Sequence, residues 1–118
     1  MRIELLVVPD CPNQAPAADL IATAVADTGV PATVTVRTIN SQAQARRNGF
    51  TGSPTIRLDG LDPFARPDAP VALACRLYVT PAGLRGVPAL EDLHQALQQA
   101  AARDARPGTT RAPQTDST

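Results

Sequence analysis

Cys11 stands in the stretch VVPDCPNQ, where a strand-type run meets a proline, an acid and a second proline. If a helix begins there, the sulfur lies near unpaired backbone amides and the positive end of the helix dipole, an environment that favours thiolate over thiol. Pro12 suits that position, since the first helical amide has no partner and the ring fixes a helical φ. The neighbouring Asp10 opposes negative charge on sulfur. The competing reading is a plain loop cysteine. The second cysteine, Cys75, falls in ALACRLYV, where Leu73, Cys75, Leu77 and Val79 alternate with Ala74, Arg76 and Tyr78. Two roles are open to it: a small apolar core residue, which the alternation favours, or a second thiol that resolves an adduct or binds a metal. His94 follows Leu90 and Leu93 at the edge of an apolar stripe and enters no site. Arg46 and Arg47 form a solvated helix face that could attract an anionic thiol. Phosphate-binding glycine motifs are absent from the sequence.

Seven elements would position these groups. Ile3 to Val8 is near-continuously apolar, as a strand covered on both faces is. Ala17, Leu20, Ile21, Ala24 and Val25 predict a helix from Pro12 to about Thr28, closed by Gly29. PATVTVRTI predicts a second strand rich in β-branched residues. Ser41 can cap a short helix reaching Arg47, with Gly49 beyond it. Thr55, Ile56 and Leu58 predict a third strand directly behind Pro54. The stretch from Asp59 to Pro70 holds Pro63, Pro67 and Pro70 and reads as an irregular loop. ALACRLYV then predicts a fourth strand, TPAG a turn, and Leu90, Leu93 and Leu97 a final helix opened by Pro88 and fraying near Arg103. In that arrangement Cys75 would lie about four residues, roughly 13 Å, short of the Cys11 end of the sheet.

The chain has 118 residues and 43% hydrophobic content, enough for one domain with a real core. The expected domain spans residues 1–103, and the polar, proline-containing stretch from 104 to 118 reads as a disordered tail. Eleven basic residues balance eleven acidic ones, so neither nucleic acid nor an anionic membrane is an expected partner. The apolar run at the N-terminus is short and interrupted by Glu4, which argues against a leader or a membrane span and for the cytoplasm. Two separated thiols with no histidine nearby make a poor metal cage, so no metal is expected.

With CPNQ after the first strand and GSPT before the third, residues 1 to about 100 resemble the thioredoxin-like superfamily, in its glutaredoxin-like one-cysteine form. Segments such as DPF and ACRLY also resemble small bacterial thioredoxin-like proteins sometimes labelled alkylmercury-lyase-like. The resemblance implies an α/β fold of order βαβαββα, with a mixed four-stranded sheet flanked by helices. It implies that Cys11 is the reactive residue, that Ser53-Pro54 is a cis peptide beside it, and that Pro12, Gln14, Ser53, Pro54 and Thr55 bind. Gln14 stands where a dithiol member has its second cysteine. The implied activity is that of a monothiol thiol-disulfide oxidoreductase forming a mixed disulfide with a small thiol or a protein thiol. Such a protein needs no bound cofactor, only glutathione or another small thiol as co-substrate. The rival is a thioredoxin-fold binding module without redox turnover, holding a partner protein or a soft metal on the same surface.

Overall fold

Ile3, Leu5 and Val7 are fully buried on one face of strand β1 (Arg2–Val7) and Leu6 is fully buried on the other. A strand with this pattern must be covered on both sides. In the computed structural model, which describes residues 1–105, it is the centre of a mixed three-stranded sheet. β1 pairs in parallel with β2 (Thr33–Thr38) and antiparallel with β3 (Thr55–Leu58), giving the order β2-β1-β3.

Helix α1 (Gln14–Thr28) carries the chain from β1 to β2. Its buried residues Ala17, Ile21 and Ala24 pack with Leu93, Ala96, Leu97 and Ala100 of α3 (Leu90–Ala105), over Ile3, Leu5, Val7 and Ile56 of the sheet. Short side chains on α1 let the two helices approach closely, and His94 Nε2 pairs with Asp27 Oδ2 at 3.0 Å across them. The other face is covered more thinly. Helix α2 (Gln42–Asn48) buries only Ala45, which joins Leu6, Ile39 and Phe50 in a second, smaller core. The helix owes its limits to its ends. Ser41 Oγ accepts the Gln44 N–H at 3.1 Å, and Gly49 closes it in the left-handed conformation.

The sequence leads one to expect a fourth strand over Ala72–Val79 in the same sheet, and this is corrected. β4 is only Tyr78–Thr80, and it pairs with β5 (Gly83–Arg85), a strand the sequence reading did not foresee, in a separate two-stranded ribbon. Ahead of β4 the chain makes a single parallel bridge, Cys75 to Ser53. The reason lies in which residues turn inward. Arg76 and Tyr78 are buried, whereas Leu73, Leu77 and Val79 are exposed, so the segment shows the core the face opposite to its apolar one.

The loop after β3 also differs from expectation, because it begins as a tight hairpin. Asp59 and Gly60 both have positive φ, 51° and 87°, and Leu58 and Leu61 exchange backbone hydrogen bonds across them. Pro63 lacks the amide that the return strand would need next. Helix α3 starts at Leu90 rather than in the turn of Pro88 and runs to Ala105, past the expected boundary at Arg103. The rest of the expected disordered tail lies outside the described residues. Among the described residues no helix is long and apolar enough to cross a membrane.

Burial sorts the sheet into dispensable and essential positions. Leu97, fully buried between α3 and the sheet, should cost about 2–5 kcal/mol when truncated to alanine. Val36, 45% exposed on β2, should change stability by less than about 0.5 kcal/mol when replaced by threonine. Urea unfolding of the two variants beside the wild type measures both.

Candidate functional site

β1 ends at Val7, and Pro9 and Asp10 form a turn in which Asp10 takes a left-handed φ of 58°. Cys11 follows. Its carbonyl accepts the Gln14 N–H at 3.2 Å, and α1 begins only at Gln14, with Asn13 as the cap residue. Pro12 therefore lies in the turn before the helix rather than in its first turn, and Cys11 stands two residues ahead of the cap. The dipole argument is weakened accordingly, since the effect fades beyond the terminal turn. Cys11 is 8% exposed and packs with Val7, Ala17 and the rest of the larger core.

What faces the sulfur is a serine. Ser53 Oγ lies 3.0 Å from Cys11 Sγ and 3.1 Å from the Val8 amide nitrogen. The amide N–H donates to the hydroxyl oxygen, which leaves the single hydroxyl proton to be donated to sulfur. The Val8 partner belongs to the backbone, and Ser53 itself is fully buried. The hydroxyl is thereby aimed at the sulfur as a fixed hydrogen-bond donor. The Ser53-Pro54 peptide is cis, and Pro54 and Thr55 are buried behind it.

A polar network that sequence reasoning missed braces this turn from behind. Arg76, with its side chain 8% exposed, donates to Asp62 Oδ2 at 2.7 Å, to the Phe64 carbonyl at 2.7 Å and to Thr55 Oγ1 at 3.2 Å. Thr55 Oγ1 in turn donates to the Gly52 carbonyl at 2.6 Å. Gly52 has φ 140°, and a β-carbon there would come within 2.8 Å of Arg76 Cβ, so only glycine lets the two segments approach. The guanidinium carbon sits 4.6 Å over the Tyr78 ring, and the Tyr78 hydroxyl donates to the Pro54 carbonyl. The available signals were an arginine in a strand-like run, on the side opposite its leucines, and the aspartate of the DPF segment.

Of the residues singled out from sequence, Cys11, Ser53, Pro54 and Thr55 come together at one end of the sheet. Gln14 joins them through its backbone N–H, and Pro12 is exposed beside them. Cys75 departs from both expectations made for it. It is exposed rather than buried in the core, and its backbone lies beside Ser53 rather than remote from the Cys11 end. A cleft of about 380 Å³ opens over it, lined by Thr51, Arg66, Asp68, Cys75 and Leu77 among others. Both cysteines are free thiols. Among the described residues no three of His, Cys, Asp and Glu cluster as a metal site would require. Compared with protein-family models, with curated proteins and with solved structures, the chain matches none.

Two outcomes follow from the brace. Replacing Asp62 by alanine leaves the Arg76 charge buried without its carboxylate and should cost about 3 kcal/mol in urea unfolding. Burial pushes the Tyr78 phenol well above the ordinary value of 10.0, so the folded state keeps a proton that the unfolded state has lost. Its contribution is complete below pH about 10 and should be lost as pH rises, at up to about 1.4 kcal/mol per pH unit. The sequence contains no lysine and a single tyrosine, so among phenol and ammonium side chains only Tyr78 titrates in that window. The slope should vanish in Tyr78→Phe, measured by urea midpoints between pH 9.5 and 11.

Proposed function

We propose that this chain is a thioredoxin-like protein of the one-cysteine kind, acting as a thiol-disulfide oxidoreductase through Cys11. The observation that carries the reading is the Ser53 hydroxyl, held by the Val8 N–H and aimed at Cys11 Sγ at 3.0 Å. The order of the first five elements and the CPNQ and GSPT turns at one sheet end support the family resemblance, while the missing fourth strand departs from it. Two free thiols fit a reducing compartment such as the cytoplasm.

In the reaction, the Cys11 thiolate attacks one sulfur of a disulfide R–S–S–R′. The S–S bond breaks, R′–S⁻ leaves and takes a proton from water, and Cys11 is left joined to R. The Ser53 donor stabilises the charge that the attacking sulfur carries before the bond forms. An external thiolate, glutathione or a similar small thiol, then attacks the mixed disulfide, carries R away and restores Cys11. Gln14 carries no thiol and takes no part in that step.

The 8% exposure of Cys11 favours a second reading, a binding module that holds a partner on the Cys11 and Pro54 surface without turnover. Glutathione disulfide separates the two. In a Cys75→Ser background Cys11 should take up a single glutathione, seen by mass spectrometry and reversed by excess reduced glutathione. Adding Ser53→Ala should slow uptake about tenfold, the equivalent of one lost hydrogen bond to a charged group. If the native protein takes up no glutathione and only the urea-unfolded chain does, the oxidoreductase reading fails and the binding module stands.

A further inference from the structure

Ser53 is bonded to Cys11 and is the backbone partner of Cys75. Its hydroxyl meets Cys11 Sγ at 3.0 Å, while its backbone N–H donates to the Ala74 carbonyl at 2.8 Å and its carbonyl accepts the Arg76 N–H at 2.9 Å. Those two bonds flank Cys75 and make it the residue paired with Ser53. Paired residues in a sheet project from the same face, with backbones about 4.8 Å apart. The Cys75 side chain therefore rises on the side from which the Ser53 hydroxyl reaches Cys11. Thr51, Arg76 and Leu77 line the cleft that opens over Cys75.

From this we propose that Cys75 is the resolving thiol for Cys11, a role that rests on the oxidoreductase reading above. The chemistry balances with a low-molecular-weight disulfide as the oxidant. After Cys11 has displaced R′–S⁻ and carries R, the Cys75 thiolate attacks Cys11 Sγ. The bond between Cys11 and R breaks, R–S⁻ leaves and is protonated, and a Cys11–Cys75 disulfide remains. One disulfide has been reduced to two thiols and the two protein thiols have been oxidised. Closure requires the Cys75 segment to advance past Ser53 until the α-carbons are within about 7 Å. Between β3 and β4 that segment belongs to no regular strand; besides the two Ser53 bonds it is tied to the body by Ala72 N–H to the Phe50 carbonyl and by the buried Arg76 side chain, so the advance has to pivot about the Arg76 anchor. The exposure of Cys75 leaves its thiolate accessible. The missing cysteine at Gln14 is thereby replaced from across the turn, so the protein runs two-thiol chemistry with a one-cysteine helix motif.

The test uses the full-length reduced protein and 4,4′-dithiodipyridine at half an equivalent per protein. Wild type should release both thiopyridone leaving groups from each reagent molecule consumed and yield an intramolecular disulfide, two hydrogens lighter, which peptide mapping assigns to Cys11 and Cys75. Cys75→Ser should release only the first and hold the pyridyl adduct on Cys11. The adduct should then survive about a hundredfold longer than in wild type at equal external thiol, as expected for loss of an intramolecular nucleophile. Cys11→Ser should form no internal disulfide. A stable pyridyl adduct on Cys11 in wild type, with Cys75 still free, would overturn the resolving role while leaving the oxidoreductase reading intact. A bond found between two chains rather than within one would also overturn it. Failure of Cys11 to react in the Cys75→Ser protein would remove both.

Discussion

A guanidinium cannot be taken out of water without partners, and the burial of Arg76 governs much of what the chain does after β3. Its donors are met by the Asp62 carboxylate, the Phe64 carbonyl and the Thr55 hydroxyl, and its plane lies over Tyr78. To bring those groups together the proline-rich stretch from Asp62 must fold back against the start of β3. Arg76 must also point inward, which turns Leu73, Leu77 and Val79 toward solvent. A fourth sheet strand would need the opposite parity. The separate β4–β5 ribbon follows from the inward arginine.

The same interaction reaches the candidate site by a short relay. Arg76 holds Thr55, Thr55 holds the Gly52 carbonyl, and the intervening Ser53 presents its hydroxyl to Cys11. Tyr78 holds the Pro54 carbonyl from the same side. Each atom in this relay is buried and partnered, so the serine is set by its surroundings rather than by its own rotamer preference.

The elements built on local pattern were legible. β1 announced itself by a near-continuous apolar run broken only by Glu4, α1 by its three- and four-residue spacing and closing glycine, and α2 by Ser41 and Gly49 despite having only Ala45 to bury. What was not legible depended on a long-range choice. ALACRLYV has two faces, and hydrophobicity favours the leucine face. The ion pair with Asp62 and the fit of Gly52 against Arg76 select the other, and neither can be seen without the fold. The Asp59-Gly60 turn, by contrast, is a hairpin signal in the sequence that the prolines behind it obscure. At the site, the residue types near Cys11 could be read, but the serine donor and the position of Cys75 arose from a pairing that parity alone placed elsewhere.

β2 ends the sheet with all six of its residues exposed, and it is paired on one side only. Its single charge, Arg37, is drawn back across the ladder to Glu4 at 3.1 Å, and its remaining residues are threonine and valine. Such an edge is an unfinished template, since the outward amides and carbonyls are spaced to accept another strand whatever that strand's side chains are. A further strand could add along this border by displacing solvent alone, and the one charge on it is already committed to a neighbour.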